Sequence, residues 1–219
     1  TLERLAELVV RESLRRGYKN IARVTSTHDG RIAMSEEFSR ANAGRLNILL
    51  DEIFSTDDQD FKPFLARLKR LPGLDAIYVN LFLSHIGLFA RQAREMEIHQ
   101  PLFTSEFFEN PGAVEVSRGA LIGQWYVMGD VRPEFLAEFE RRFPDDILWC
   151  AANGHDAIMM IARAVELGKT SREDINNFLH SISGFSGALG TYSVMTDGRF
   201  DLPVTVKVVT GRGFEKLVP

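Results

Sequence analysis

One cysteine in 219 residues leaves no internal disulfide and no metal cluster built on paired thiolates. That residue, Cys150, follows Ile147, Leu148 and Trp149, an apolar setting that predicts a buried thiol. Apolar runs are short. Ile77 to Leu83, among the longest, is interrupted by polar residues far below the roughly 18 to 20 positions needed to cross a bilayer. Positive charge is neither in excess nor clustered: 26 basic residues against 30 acidic ones give a formal net charge of −4, which argues against nucleic acid as a partner. The chain starts at Thr1 with no initiator Met, basic segment or apolar leader, so we expect either a removed targeting segment or, preferably, a place within a longer protein.

Catalytic and metal signatures are equally sparse. The five histidines, His28, His85, His99, His155 and His180, include no HExxH and no pair four residues apart. Ser26, His28 and Asp29 lie too close on one loop to form a triad, and no G-x-S-x-G elbow occurs. The glycine-rich stretch from Gly184 to Gly190 precedes a strand rather than a helix, the wrong context for a phosphate cradle, and reads as a flexible connection to a terminal hairpin. Asp57, Asp58 and Asp60 lack a full calcium loop and read as a solvated connection. The expectation is a protein without enzymatic activity, cofactor or metal.

What is present is regular. With 45% hydrophobic residues the chain can bury one sizeable core or two small ones. Leu2, Leu5, Leu8 and Val9 follow helical spacing up to Gly17; residues 20–25 then read as a strand, 31–43 as a helix closed by Gly44, and 48–54 as a strand. A short helix carrying Phe61, Phe64, Leu65 and Leu68 ends at Pro72-Gly73. The nearly continuous apolar run 75–81 predicts a strand covered on both faces. Ser84 is expected to cap the next helix, and strands follow at 101–105 and 121–128 around a helical turn at 114–117. This alternation predicts an α/β fold with a flavodoxin-like, doubly wound parallel sheet, whose ligands lie at the carboxyl ends of the strands. After Asp130 three helices follow without a strand, at 133–143, 151–167 and 171–181, and two strand-like pieces, 191–195 and 204–209, close the chain around the turn at 196–198. Those helices carry apolar faces, such as Ile158, Ile161, Ala162 and Val165, with no sheet of their own.

Several segments resemble one family in order and spacing. Asp75-Ala76-Ile77-Tyr78-Val79-Asn80, then Phe89-Ala90-Arg91-Gln92-Ala93-Arg94 and Pro101-Leu102-Phe103, are similar to type I periplasmic binding proteins of the leucine/isoleucine/valine-binding family of ABC transporters. Gly17 to Ala22, Asp60-Phe61, His155-Asp156-Ala157 and Thr196-Asp197-Gly198 fall in the same order. The resemblance implies a second ligand-binding lobe made of residues 1–128 and 203–219, helices of an incomplete first lobe in 129–202, and a missing N-terminal part of that first lobe. It also implies an extracytoplasmic component of an ABC importer, periplasmic or extracellular and compatible with a lipid anchor, that binds an amino acid or related carboxylate between two lobes and docks on an ABC permease. The alternative is a ligand-sensing module of the same fold in a receptor or regulatory protein. An α/β enzyme, the reading from another class, would need a buried acid-base pair at the strand ends. The uncovered first-lobe helices could also be buried in a homodimer.

Three loops then carry the candidate ligand contacts. In Thr25 to Gly30, His28 and Asp29 offer polar groups at a helix N-terminus, although an ordinary turn with Asp29 near the cap fits equally. The resemblance places Asp29 where many relatives carry an aromatic residue. In Leu81 to Ser84, Phe82 with Leu83 offers an apolar wall where the branched-chain binders have tyrosine; a core phenylalanine is the competing reading. In Thr104-Ser105-Glu106-Phe107, Glu106 matches the family's carboxylate for a ligand α-ammonium, with Ser105 beside it. Without the resemblance Glu106 reads as a solvated loop acid.

Overall fold

Leu5, Leu8 and Val9 lie on the buried face of the first helix, α1 (Leu2–Arg15), and Gly17, at φ 80°, lets the chain turn out of it. The computed structural model describes residues 1–144, 146, 148 and 150–217. After α1 come β1 (Asn20–Ser26), α2 (Asp29–Asn42), β2 (Asn47–Phe54), α3 (Lys62–Leu68), β3 (Ala76–Asn80), α4 (Ser84–Glu95), β4 (Leu102–Ser105), α5 (Pro111–Val116) and β5 (Trp125–Gly129). Three helices follow, α6 (Pro133–Arg142), α7 (Ala151–Glu166) and α8 (Arg172–Leu179), then β6 (Phe185–Gly187), β7 (Gly190–Tyr192), β8 (Val204–Thr210) and β9 (Gly213–Lys216). The chain divides into two compact units: Leu2–Met128 with the segment from Thr205 onward, and Gly129–Val204.

The larger unit holds a seven-stranded sheet in the order β2-β1-β3-β4-β5-β8-β9. Its first five strands pair in parallel, and β9 returns antiparallel to β8. The order 2-1-3-4-5 is the doubly wound, flavodoxin-like arrangement expected from the sequence, with its topological switch point between β1 and β3. One face of the sheet carries an aromatic row in strand register, Tyr78, Phe103 and Trp125, with ring centroids 5.3 and 4.9 Å apart. Phe38 from α2 stacks on Tyr78 at 4.4 Å. The other face presents Ala22, Val24, Ile77, Val79 and Leu102 to a core shared with Phe61, Phe64 and Leu65 of the α3 segment and Ile86, Phe89, Ala90 and Ala93 of α4. Every residue of β3 is buried, as a strand covered on both faces requires.

Five local expectations are corrected. Leu83, not Ser84, is the N-cap residue of α4; it sits at φ 44° and its side chain makes no capping bond. Strand β5 begins at Trp125 because residues 121–124 are spent on a turn through Gly123 at φ 83°. The Gly184 to Gly190 stretch is no loose connection: β6 and β7 pair antiparallel through it, and β8 joins the large sheet beside β5 instead of forming a closing hairpin with 191–195. Around the turn at 196–198, Val194 and Phe200 form an isolated antiparallel bridge. Cys150 is exposed, at the start of α7, while its neighbours 147 and 149 lie outside the described residues.

In the smaller unit Ala152 and Met160 of α7 pack with Ile182, Ala188, Leu189 and Tyr192. Asp156, on the same helix face, accepts from the amides of Ala188 at 2.6 Å and Leu189 at 3.0 Å and from the Tyr192 hydroxyl at 2.9 Å, which folds the β6–β7 turn onto the helix. Ile158, Met159, Ile161 and Val165 of α7 remain exposed. Among the described residues no helix is long and apolar enough to cross a membrane.

Candidate functional site

Strands β1, β3 and β4 are neighbours in the sheet, so the segments that follow their carboxyl ends meet on one edge of the larger unit. Two of these segments hold residues in conformations that L side chains rarely adopt: Leu83 at φ 44°, Glu106 at φ 61° and Phe107 at φ 40°. Such positions cost of order 1–3 kcal/mol each and persist where surrounding contacts impose them.

His28 is the N-cap of α2. Its Nδ1 accepts from the Gly30 amide at 3.2 Å, and its imidazole stacks on Phe82 at 4.1 Å with the planes 9° apart. The Phe82 amide in turn donates to Ser26 Oγ at 3.1 Å, joining the loops after β1 and β3 through the backbone as well. Phe82 meets Phe107 edge to face at 5.6 Å. The Arg31 guanidinium lies over Phe107, 4.2 Å from the ring centroid, and its Nη2 donates to Glu106 Oε2 at 2.9 Å. A continuous chain of contacts therefore runs His28, Phe82, Phe107, Arg31, Glu106.

Arg31 is anchored from behind. Its Nη1 donates to Asn80 Oδ1 and to the Ser105 carbonyl, both at 3.3 Å, and Asn80 Nδ2 donates back to the Arg31 carbonyl at 2.7 Å. The Arg31 side chain keeps only 3% of its surface in solvent, whereas Glu106 keeps 32%. The Ser105 hydroxyl is buried against Tyr78 OH at 3.3 Å; burial pushes the Tyr78 phenol up, partly opposed by that hydrogen bond and by the Arg31 charge. Thus Ser105 supports Arg31 from inside the unit. Asp29 is exposed in the first turn of α2, where its charge suits the helix dipole, and His28 rather than Asp29 provides the cap. Leu83 is half-buried between Phe82 and α4.

The sequence reading passes over Arg31 and Asn80. The signal for Arg31 is its place: a cation three residues into a helix opposes the positive end of the dipole and needs a carboxylate brought to it from elsewhere in the fold. Among the described residues no three His, Cys, Asp or Glu side chains gather to hold a metal ion. What the edge offers is an aromatic surface beside a matched ion pair.

A comparison with curated protein sequences gave no match. Solved structures match the fold over almost the whole chain. A leucine binding protein from Thermotoga maritima superposes with a TM-score of 0.84 at 20% identity, covering 99% of this chain and 65% of its own. A branched-chain amino acid transporter substrate binding protein from Streptococcus pneumoniae, in complex with isoleucine, gives 0.82 at 19%, covering 98% and 65%. An ABC transporter solute binding protein from R. palustris, in complex with benzoate, gives 0.81 at 19%, covering 99% and 62%. The chain spans less than two thirds of the length of each. A family model described as periplasmic binding protein matches residues 2–213, nearly the full length, and with the doubly wound sheet beneath the candidate site the chain belongs to the periplasmic binding protein family.

Proposed function

We propose that this chain acts outside the cytoplasm as part of the solute-binding component of an ABC importer, and that the edge formed after β1, β3 and β4 holds its small-molecule ligand. Residues 1–128 and 203–219 form the second ligand-binding lobe in this reading, and 129–202 belong to the first. The observation that carries it is the linked set His28, Phe82, Phe107, Arg31 and Glu106 at the switch point of the sheet. In open α/β sheets that point is where ligands bind. Three adjacent strand ends contribute side chains, and left-handed backbone at Leu83, Glu106 and Phe107 is of the kind that clusters at ligand-binding sites.

The ligand is an amino acid or a related small carboxylate. Support comes from fold neighbours complexed with isoleucine and with benzoate, two carboxylates of which only one carries an ammonium. The protein's role is binding and delivery to a permease rather than chemical conversion. Calorimetric titration of the full-length protein with amino acids and small organic acids tests the proposal. Saturable binding of one of them, weakened at least tenfold by Phe82→Ala, is the expected result. Absence of binding across both classes would sink it.

A further inference from the structure

The carboxylate that the family resemblance offers to a ligand ammonium already has a cation. Arg31 Nη2 lies 2.9 Å from Glu106 Oε2, and that cation cannot swing away: its guanidinium is held by Asn80 and Ser105, lies over the Phe107 ring, and is 3% exposed. Its Nε is buried with no hydrogen-bond partner. Burial of a guanidinium on these terms requires the charge of Glu106, so the pair acts as one neutral unit.

We propose that the Arg31–Glu106 pair sets the ligand class, selecting organic acids without an α-amino group, whose apolar or aromatic body rests against the His28–Phe82 pair. This rests on the solute-binding reading above and narrows it. An ammonium brought to Glu106 would stand within a few ångströms of the immobile guanidinium, and repulsion between the two cations offsets the attraction of the carboxylate. Binding would also strip the ammonium of water without an uncompensated anion to replace it. An apolar body meets neither penalty, because the stacked rings of His28 and Phe82 and the adjoining ring of Phe107 offer it an aromatic surface.

The test compares matched probes on the full-length protein: phenylalanine against 3-phenylpropanoate, and leucine against 4-methylpentanoate, by calorimetry. The acids without an amino group are expected to bind at least tenfold tighter than their amino acid partners. Arg31→Met unmasks Glu106 and should move that ratio at least tenfold toward the amino acids. Arg31→Gln, which removes the charge but keeps an amide donor for Asn80 and the Ser105 carbonyl, should move the ratio the same way and covers the case in which Arg31→Met does not fold; an unchanged ratio in either folded variant would overturn the proposal. Tighter binding of the amino acids by the wild-type protein, lost in Glu106→Gln, would overturn the proposal while leaving solute binding intact. Failure of all four probes and of benzoate to bind would count against the solute-binding reading and take this inference with it.

Discussion

The His28 imidazole stacks on the Phe82 ring at 4.1 Å with the planes 9° apart, so a helix cap on one loop is also half of an aromatic pair with the next. Removing the ring should separate binding from stability. Stacked pairs contribute about 0.5–1.5 kcal/mol beyond burial, and Phe82 is only half-buried. We expect Phe82→Ala to lower stability by about 1–2 kcal/mol in urea unfolding, with a much larger proportional loss in ligand titrations.

Gly87 sits where α4 crosses α5. A Cβ placed there would stand 2.1 Å from the Ala113 carbonyl oxygen, a backbone atom with no flexible side chain to yield. Gly87→Ala is therefore expected to destabilise by about 1–3 kcal/mol through overpacking. Gly154 in α7 has nothing within 4 Å of such a Cβ. Gly154→Ala should instead stabilise by about 0.4–1 kcal/mol, and parallel chemical denaturation of the two variants checks both signs.

Burial pushes the Asp156 carboxyl up, but the Leu189 and Ala188 amides, His155 and Tyr192 together hold it below its ordinary value. As pH falls the unfolded chain takes up this proton before the folded one does, so the stabilisation is intact above about pH 4 and is lost as pH drops through the folded value. Melting temperature should fall in that window. Asp156→Asn should flatten this acid limb and cost about 2 kcal/mol at neutral pH, since an amide cannot accept from every donor that the carboxylate serves.

His85 gives a second and separate pH signature. Burial lowers its pKa, with Asp58 and Asp57 opposing; its Nε2 meets the Gln59 amide nitrogen at 3.0 Å and its buried Nδ1 has no partner. The folded state resists the proton that the unfolded state accepts near pH 6.5, so stability should decline as pH drops below about 6.5. A pH series of melting curves should show this shallower step above the acid limb of Asp156, and His85→Gln should remove it.

Order and type of the elements were legible because apolar period, run length and the glycine and proline stops between runs together separate them. The 3.6-residue spacing of Leu5, Leu8 and Val9 differs from the unbroken run Ala76 to Asn80, and five such alternations leave few topologies. Small returns of the chain were not. The β6–β7 hairpin forms because Asp156, some thirty residues earlier, binds the amides at its turn, and no local pattern in Gly184 to Gly190 carries that information. Likewise Leu83 carries none of the chemistry of a helix cap, yet it occupies that position at a positive φ that local propensity disfavours. At the candidate site, Phe82, His28 and Glu106 were singled out through loop position and resemblance. Arg31 was missed because its meaning depends on a carboxylate 75 residues later in the chain.

Glu106 and Phe107 are consecutive residues, both at left-handed φ, and both touch Arg31. In an extended chain adjacent side chains point to opposite sides, so it is the bend of this loop that lets the carboxylate of one neighbour and the ring of the other both reach the cation. The charge presented at this edge is consequently a joint property of helix and loop: a substitution at any one of the three residues leaves the other two without the contact that orients them.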